Sequence, residues 1–268
     1  MTDEPLIRVE GPVQGVAEVV LNRPDKMNAI NAALLEAMDA AATALFADPA
    51  LRAVVLRGEG RAFCAGLDKG NFDKMAETGK PSLGDAILER THGDANLFQQ
   101  AGLMWREAPV PVIAALHGVC IGGGLQIALG ADLRVAAPDC KLSVLEMKWG
   151  LIPDMSGMVT LPPLVRGDVL RRLIYTHEML DGPAAQAAGL VTEVAEDPLA
   201  RARELAALIA SKSPSAIREA KALVNEAETL GAAEVLMAES RRQQALIGAE
   251  HQVETVRAAL EGRTPRYG

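Results

Sequence analysis

Cysteine is scarce in this 268-residue chain: Cys64, Cys120 and Cys140 are odd in number and nowhere spaced as CxxC. Neither a disulfide framework nor a cysteine zinc site is indicated, and a reducing cytoplasm is the expected setting. Long apolar runs are missing as well. No stretch approaches the roughly 18 uninterrupted apolar residues of a membrane span. The first 21 residues carry Asp3, Glu4 and Glu10 and no long apolar run, so they do not read as a signal peptide. Positive charge is in deficit, with 27 Lys and Arg against 35 Asp and Glu, a net charge of −8. That balance argues against a nucleic-acid surface, which needs clustered basic residues, but leaves room for a local basic pocket. Aromatics are only 3% of the chain. Its four histidines, His92, His117, His177 and His251, are scattered without metal-ligand spacing, so no metal site is expected.

What is present is length enough for a sizeable core in one or two domains. Val16–Leu21 and Ala53–Leu56 read as strands, and Asn31–Phe46 reads as an alanine- and leucine-rich helix capped by Asn31. Pro109–Leu116 is a buried strand with its prolines at the start, followed by a short helix at Leu125–Leu129 and a strand at Asp132–Ala136. Strand, helix, strand recurs, which predicts an α/β core. Asp68–Gly93 is polar and glycine-spaced, a loop or loosely held helix and a candidate lid. From about Asp197 the chain turns helical, through Leu199–Ala210, Ser215–Glu226 and Ala232–Leu260. The last segment repeats apolar residues every three or four positions, so it needs a partner surface, its own core or a neighbouring subunit. The division expected is residues 1–196 as core and 197–268 as helical region.

The most informative stretch is Gly122-Gly123-Gly124-Leu125-Gln126, three glycines running into an apolar helix. Without Cβ atoms the backbone can turn sharply and offer free N–H groups to an oxyanion. The same glycines could simply let a helix pack close to a strand. Nucleotide motifs fail here: GxGxxG from Gly122 meets Ile127, and a phosphate loop from Gly118 meets Gly124 and Leu125 instead of lysine and hydroxyl. Ala62–Asp68 follows a strand with small residues and offers a second exposed N–H. Glu146 and Asp154 stand eight residues apart among apolar neighbours, with Gly150 and Pro153 between. A carboxylate in such surroundings has a raised pKa and can serve as acid or base. A helix cap, or an ion pair to Lys148 or an arginine, is the other reading. Trp149 and the methionines, Met147 and Met155 among them, are expected in the core rather than in a pocket.

Taken together, these segments resemble the crotonase family, also called the enoyl-CoA hydratase/isomerase family. The resemblance runs from Lys26-Met27-Asn28-Ala29-Ile30 through Ala62–Asp68, Pro111–Gly118, Gly122–Gln126, Leu151–Asp154 with Leu161-Pro162, to Asp181–Ala185 and Gly189–Val191. It implies an α/β fold, a spiral of ββα units with a C-terminal α-helical trimerisation region, assembled as a homotrimer or a dimer of trimers. It implies a coenzyme A thioester as substrate, with no separate cofactor, held through its carbonyl oxygen by the N–H groups of Leu67 and Gly123. Each such donor contributes roughly 3–4 kcal/mol to the transition state. Lys26, Ala29, Ala65 and Asp68 are the expected coenzyme A contacts. Family hydratases use two glutamates, and here Glu146 takes the second place while Gln126 takes the first. An amide cannot exchange a proton usefully near neutrality; it can only orient water or substrate. Isomerisation of an enoyl- or dienoyl-CoA by Glu146 and Asp154 is therefore expected ahead of hydration. Hydrolysis of a 3-hydroxyacyl-CoA comes next, and a non-catalytic coenzyme A-binding protein last. A family type that also binds RNA fits the −8 charge poorly.

Overall fold

A computed structural model describes residues 4–79 and 87–267 of the chain. The path begins with β1 (Ile7–Val13), β2 (Val16–Leu21), α1 (Ala32–Phe46), β3 (Ala53–Gly58), α2 (Lys69–Thr78) and α3 (Leu97–Glu107). It continues with β4 (Val112–Leu116), β5 (Val119–Ile121), α4 (Gly123–Leu129), β6 (Leu133–Ala136) and β7 (Lys141–Ser143). Then come α5 (Gly157–Thr160), α6 (Gly167–Thr176), α7 (Gly182–Ala187) and β8 (Glu193–Val194). The chain closes with α8 (Pro198–Ala210), α9 (Pro214–Ala227), α10 (Ala232–Leu246) and α11 (Glu250–Glu261).

The larger sheet runs β1-β2-β3-β4-β6-β8, antiparallel at β1–β2 and parallel thereafter. A second layer is built from the parallel pair β5–β7 and single bridges at Ile30–Leu67, Cys64–Cys120 and Leu142–Leu180. Each pass gives one strand to the large sheet, one short segment to the second layer, then a helix. This is the expected ββα spiral.

Strand β4 shows why the middle strands read as unbroken apolar runs. Side chains alternate between faces, and both faces are covered. Val112, Ala114 and Leu116 join the main core, while Ile113 and Ala115 point the other way. There they meet Ala202 and Ala206 of α8, together with Ala53 and Val55 of β3. Helix α1 fills the main side: Asn31 caps it by accepting from Leu34 N at 2.9 Å, and Leu34, Leu35, Met38, Ala42 and Leu45 are buried.

One expectation needs correction. Ala232–Leu260 is not one helix: α10 ends before Ile247, and Gly248, at φ 79°, turns the chain into α11. The Asp68–Gly93 segment contains a formed helix, α2, capped by Asp68 through Gly70 N. Residues 80–86 of that candidate lid lie outside the described residues. Among the described residues, no helix is long and apolar enough to cross a membrane.

Candidate active site

The two turns expected to supply N–H groups press against each other. Ile30 pairs in parallel with Leu67: its N–H donates to Gly66 O, and its carbonyl accepts from Asp68 N. In a parallel bridge of that kind the central residue on the partner strand keeps its own N–H free. Leu67 is that residue. Gly123 is the first residue of α4, where the helix supplies no acceptor for its N–H. The preceding Gly122 has φ 54° and ψ −129°, a conformation that side-chain-bearing residues rarely adopt. The packing reading holds as well, one residue on: a Cβ on Gly124 would lie 2.6 Å from the Cys64 carbonyl oxygen. A Cβ on Gly66 would fall 3.8 Å from Gly123 N, so the two donor turns are immediate neighbours.

Both turns open on one cavity of about 320 Å³, which also takes in Glu146, Asp154 and Gln126. Glu146 starts a 3₁₀ turn after β7 and is only 8% exposed. Its Oε1 accepts from Gln126 Nε2 at 2.6 Å, while its Oε2 is buried without a partner. Burial pushes the Glu146 pKa up, the Gln126 hydrogen bond opposes this, and the nearby Asp154 charge adds to the rise. Asp154 sits at the cavity rim, exposed as a residue, yet burial of its carboxyl against the apolar wall raises its pKa also. The ion-pair alternative is not realised: no lysine or arginine pairs with either carboxyl among the described residues.

Gln126 itself is 2% exposed, and its Oε1 accepts from Met155 N at 2.8 Å and Gly157 N at 2.9 Å. The four residues expected to touch coenzyme A divide. Ala65 lines the cavity, and Lys26 is exposed beside the lining residue Met27. Ala29 and Asp68 belong to a knot around Arg23, whose guanidinium donates to the Ala29 carbonyl and meets Asp68 Oδ2 at 3.0 Å.

The apolar wall was the part hardest to read from sequence. Met75 and Ile87 bracket the undescribed residues of the lid segment, Phe98 comes from α3, and Trp149 and Met155 flank Asp154. Trp149 thus lines the pocket rather than filling the core, whereas Met155 is buried in the main core as expected and also forms part of the pocket wall. Trp149 is 50% exposed, with the Lys148 ammonium 5.5 Å from its ring centroid. The Cys64 thiol beneath the site is pushed up to about 12 by burial, which rules it out as a nucleophile near neutrality.

The arrangement is an apolar cavity, two neighbouring turns on its wall with N–H groups that no helix or bridge uses, and a lining carboxylate whose second oxygen is buried without a partner. It suits stabilising an oxyanion while moving a proton.

Comparison with known proteins agrees. The family model described as enoyl-CoA hydratase/isomerase matches residues 12–268. The mouse mitochondrial methylglutaconyl-CoA hydratase is 31% identical over 99% of this chain and 83% of its own length. Bovine enoyl-CoA hydratase domain-containing protein 2 is 32% identical over 96% and 86%. The crystal structure of enoyl-CoA hydratase from Bacillus anthracis superimposes with a TM-score of 0.88 at 30% identity, covering 98% of each chain. With the family model covering nearly the whole chain and the fold in agreement, this chain belongs to the enoyl-CoA hydratase/isomerase family and is an enzyme of that family.

Proposed function

We propose that the protein shifts a double bond of an enoyl- or dienoyl-CoA thioester through an enolate. The observation that carries this is the pairing of Glu146 with an amide instead of a second carboxyl, while Asp154 shares its cavity. The thioester carbonyl oxygen accepts from the N–H groups of Leu67 and Gly123. Glu146 Oε2 takes a proton from the carbon next to the carbonyl. The C–H electron pair becomes the new C–C double bond, and the carbonyl pair moves onto oxygen. When the enolate collapses, the carbonyl re-forms, the enolate C–C pair moves one bond along to become the conjugated double bond, and the pair of the old double bond takes up a proton at the far carbon from Glu146 or Asp154. No water is consumed and nothing is oxidised. The coenzyme A portion lies along Ala65 and Lys26, with Ala29 and Asp68 holding that turn in place.

Hydration of a 2-enoyl-CoA is the second reading, favoured by relatives named as hydratases and by the placement of Asp154 at the open rim. Offering 2-enoyl-, 3-enoyl- and 3,5-dienoyl-CoA while following absorbance and free thiol separates the readings. Conversion of the 3-enoyl or dienoyl thioester to its conjugated isomer is expected. Rapid hydration of 2-enoyl-CoA, with Gln126→Glu gaining little, would overturn the isomerase reading. Released thiol would point to hydrolysis, and tight binding without α-deuterium exchange in D₂O to a non-catalytic protein. Glu146→Gln is expected to abolish proton transfer.

We also propose that the chain assembles as a homotrimer or a dimer of trimers through its C-terminal helices. Helix α10 buries none of its residues within the subunit, and Val253, Val256 and Leu260 expose one face of α11.

A further inference from the structure

Gln126 makes more of its one amide than a pocket wall requires. Two backbone N–H groups, from Met155 and Gly157, converge on its Oε1. An N–H can only donate, so the amide cannot be flipped, and Nε2 must face Glu146. The residue between those two donors, Ser156, has φ 67°, a tight left-handed turn that aims both at one oxygen. A Cβ on Gly157 would lie 2.6 Å from that oxygen, so the approach depends on a glycine there. On its other side Gln126 holds Glu146 Oε1 and leaves Oε2 buried and unpartnered.

We propose that Gln126 is a positioning residue: a single amide ties the Glu146 carboxyl to the loop carrying Asp154, sets the two carboxyls relative to each other, and reserves Glu146 Oε2 for the proton. This rests on the acyl-CoA proton-transfer reading above and names the residue that organises it. Asp154 is the charged group acting on Glu146. The charges on elements packed around Glu146 are engaged elsewhere. Lys148, on the same turn, lies over the Trp149 ring, and α4 carries no ionisable side chain. On α6, Arg172 meets Glu178, Asp168 meets Arg166, and Arg171 donates to the Gly167 carbonyl.

A glutamate at 126 would keep the Met155 and Gly157 N–H bonds but turn a carboxylate oxygen onto Glu146 Oε1. Two carboxylates at that separation share one proton. A leucine would cut both ties. The test is α-proton exchange of a saturated acyl-CoA in D₂O across pH, for wild type, Gln126→Glu and Gln126→Leu. Alongside it, the ¹³C carboxyl signal of Glu146, assigned through Glu146→Gln, is titrated without substrate. Gln126→Leu is expected to lower kcat for exchange roughly 100-fold while KM moves less than about threefold. Gln126→Glu is expected to move both the acid limb and the Glu146 titration upward by about one pH unit. A Gln126→Leu enzyme with wild-type kcat and pH profile, or a Gln126→Glu protein with an unmoved Glu146 titration, would overturn the proposal. Should Gln126→Leu fail to fold, the isosteric Gln126→Glu titration decides alone. A wild type that exchanges no α-protons, with the titration moving as expected, removes the isomerase reading and keeps the tie.

Discussion

Glu146 ionises against its surroundings. Its burial and the neighbouring Asp154 charge both favour the protonated form, and the Gln126 N–H only partly offsets them. A base must be deprotonated to act, so the acid limb of activity should lie above the ordinary carboxylate range. Asp154→Asn removes the like charge, so the limb of kcat/KM should move to lower pH; an unmoved limb would separate the two carboxyls electrostatically. The same raised pKa bears on stability. The native state keeps the proton to higher pH than the unfolded chain, so wild type loses stability as pH rises from the ordinary carboxylate range through the raised value. Glu146→Gln lacks that titration. It should therefore be the more stable protein at neutral pH, by up to about 1 kcal/mol in urea unfolding, and equal to wild type in acid. At this scale much of the site was legible: Glu146, Asp154, Leu67 and Gly123 all reach one cavity. What could not be read was the double hydrogen bond on Gln126 Oε1, because its donors lie 29 and 31 residues further along the chain.

Local codes explain most elements. Asn31 caps α1, Asn96 and Gln99 cap α3 reciprocally, and Asp197 caps α8. The break between α10 and α11 was hidden because the apolar period continues across Gly248, and a single glycine inside a periodic run does not by itself end a helix. Helix α9 is anchored by a contact no pattern shows. The buried Lys221 ammonium donates to the Trp105 and Val110 carbonyls at 2.9 and 3.0 Å and meets Asp132 Oδ2 at 2.8 Å. Burial lowers its pKa while Asp132 opposes the fall. Lys221→Met leaves Asp132 and two carbonyls short of a partner, and should cost about 3–5 kcal/mol of unfolding free energy. A loss under about 1 kcal/mol in chemical denaturation would show that water reaches the cluster instead.

The whole molecule is one large sheet covered on both faces, with its site where turns from successive ββα passes meet. Its C-terminal helices leave Val224, Leu236, Met237 and Leu260 exposed, the last at 84%, apolar side chains that the proposed assembly would cover. Sedimentation at three times the chain mass, or six, is expected, and Leu260→Glu should shift the population toward monomer; a monomeric wild type would refute the proposed assembly. By itself the sequence determined the alternating strands, the capped helices, the glycine turn and the carboxylate spacing, because each follows from backbone sterics and side-chain period within a few residues. Only the tertiary structure decided that the turns carrying Leu67 and Gly123 are neighbours on one cavity. It alone placed Trp149 and Met155 in the pocket wall, and gave one amide the task of holding both Glu146 and the Asp154 loop. Those are contacts between segments distant along the chain, and their geometry is set by how the layers pack rather than by any local preference.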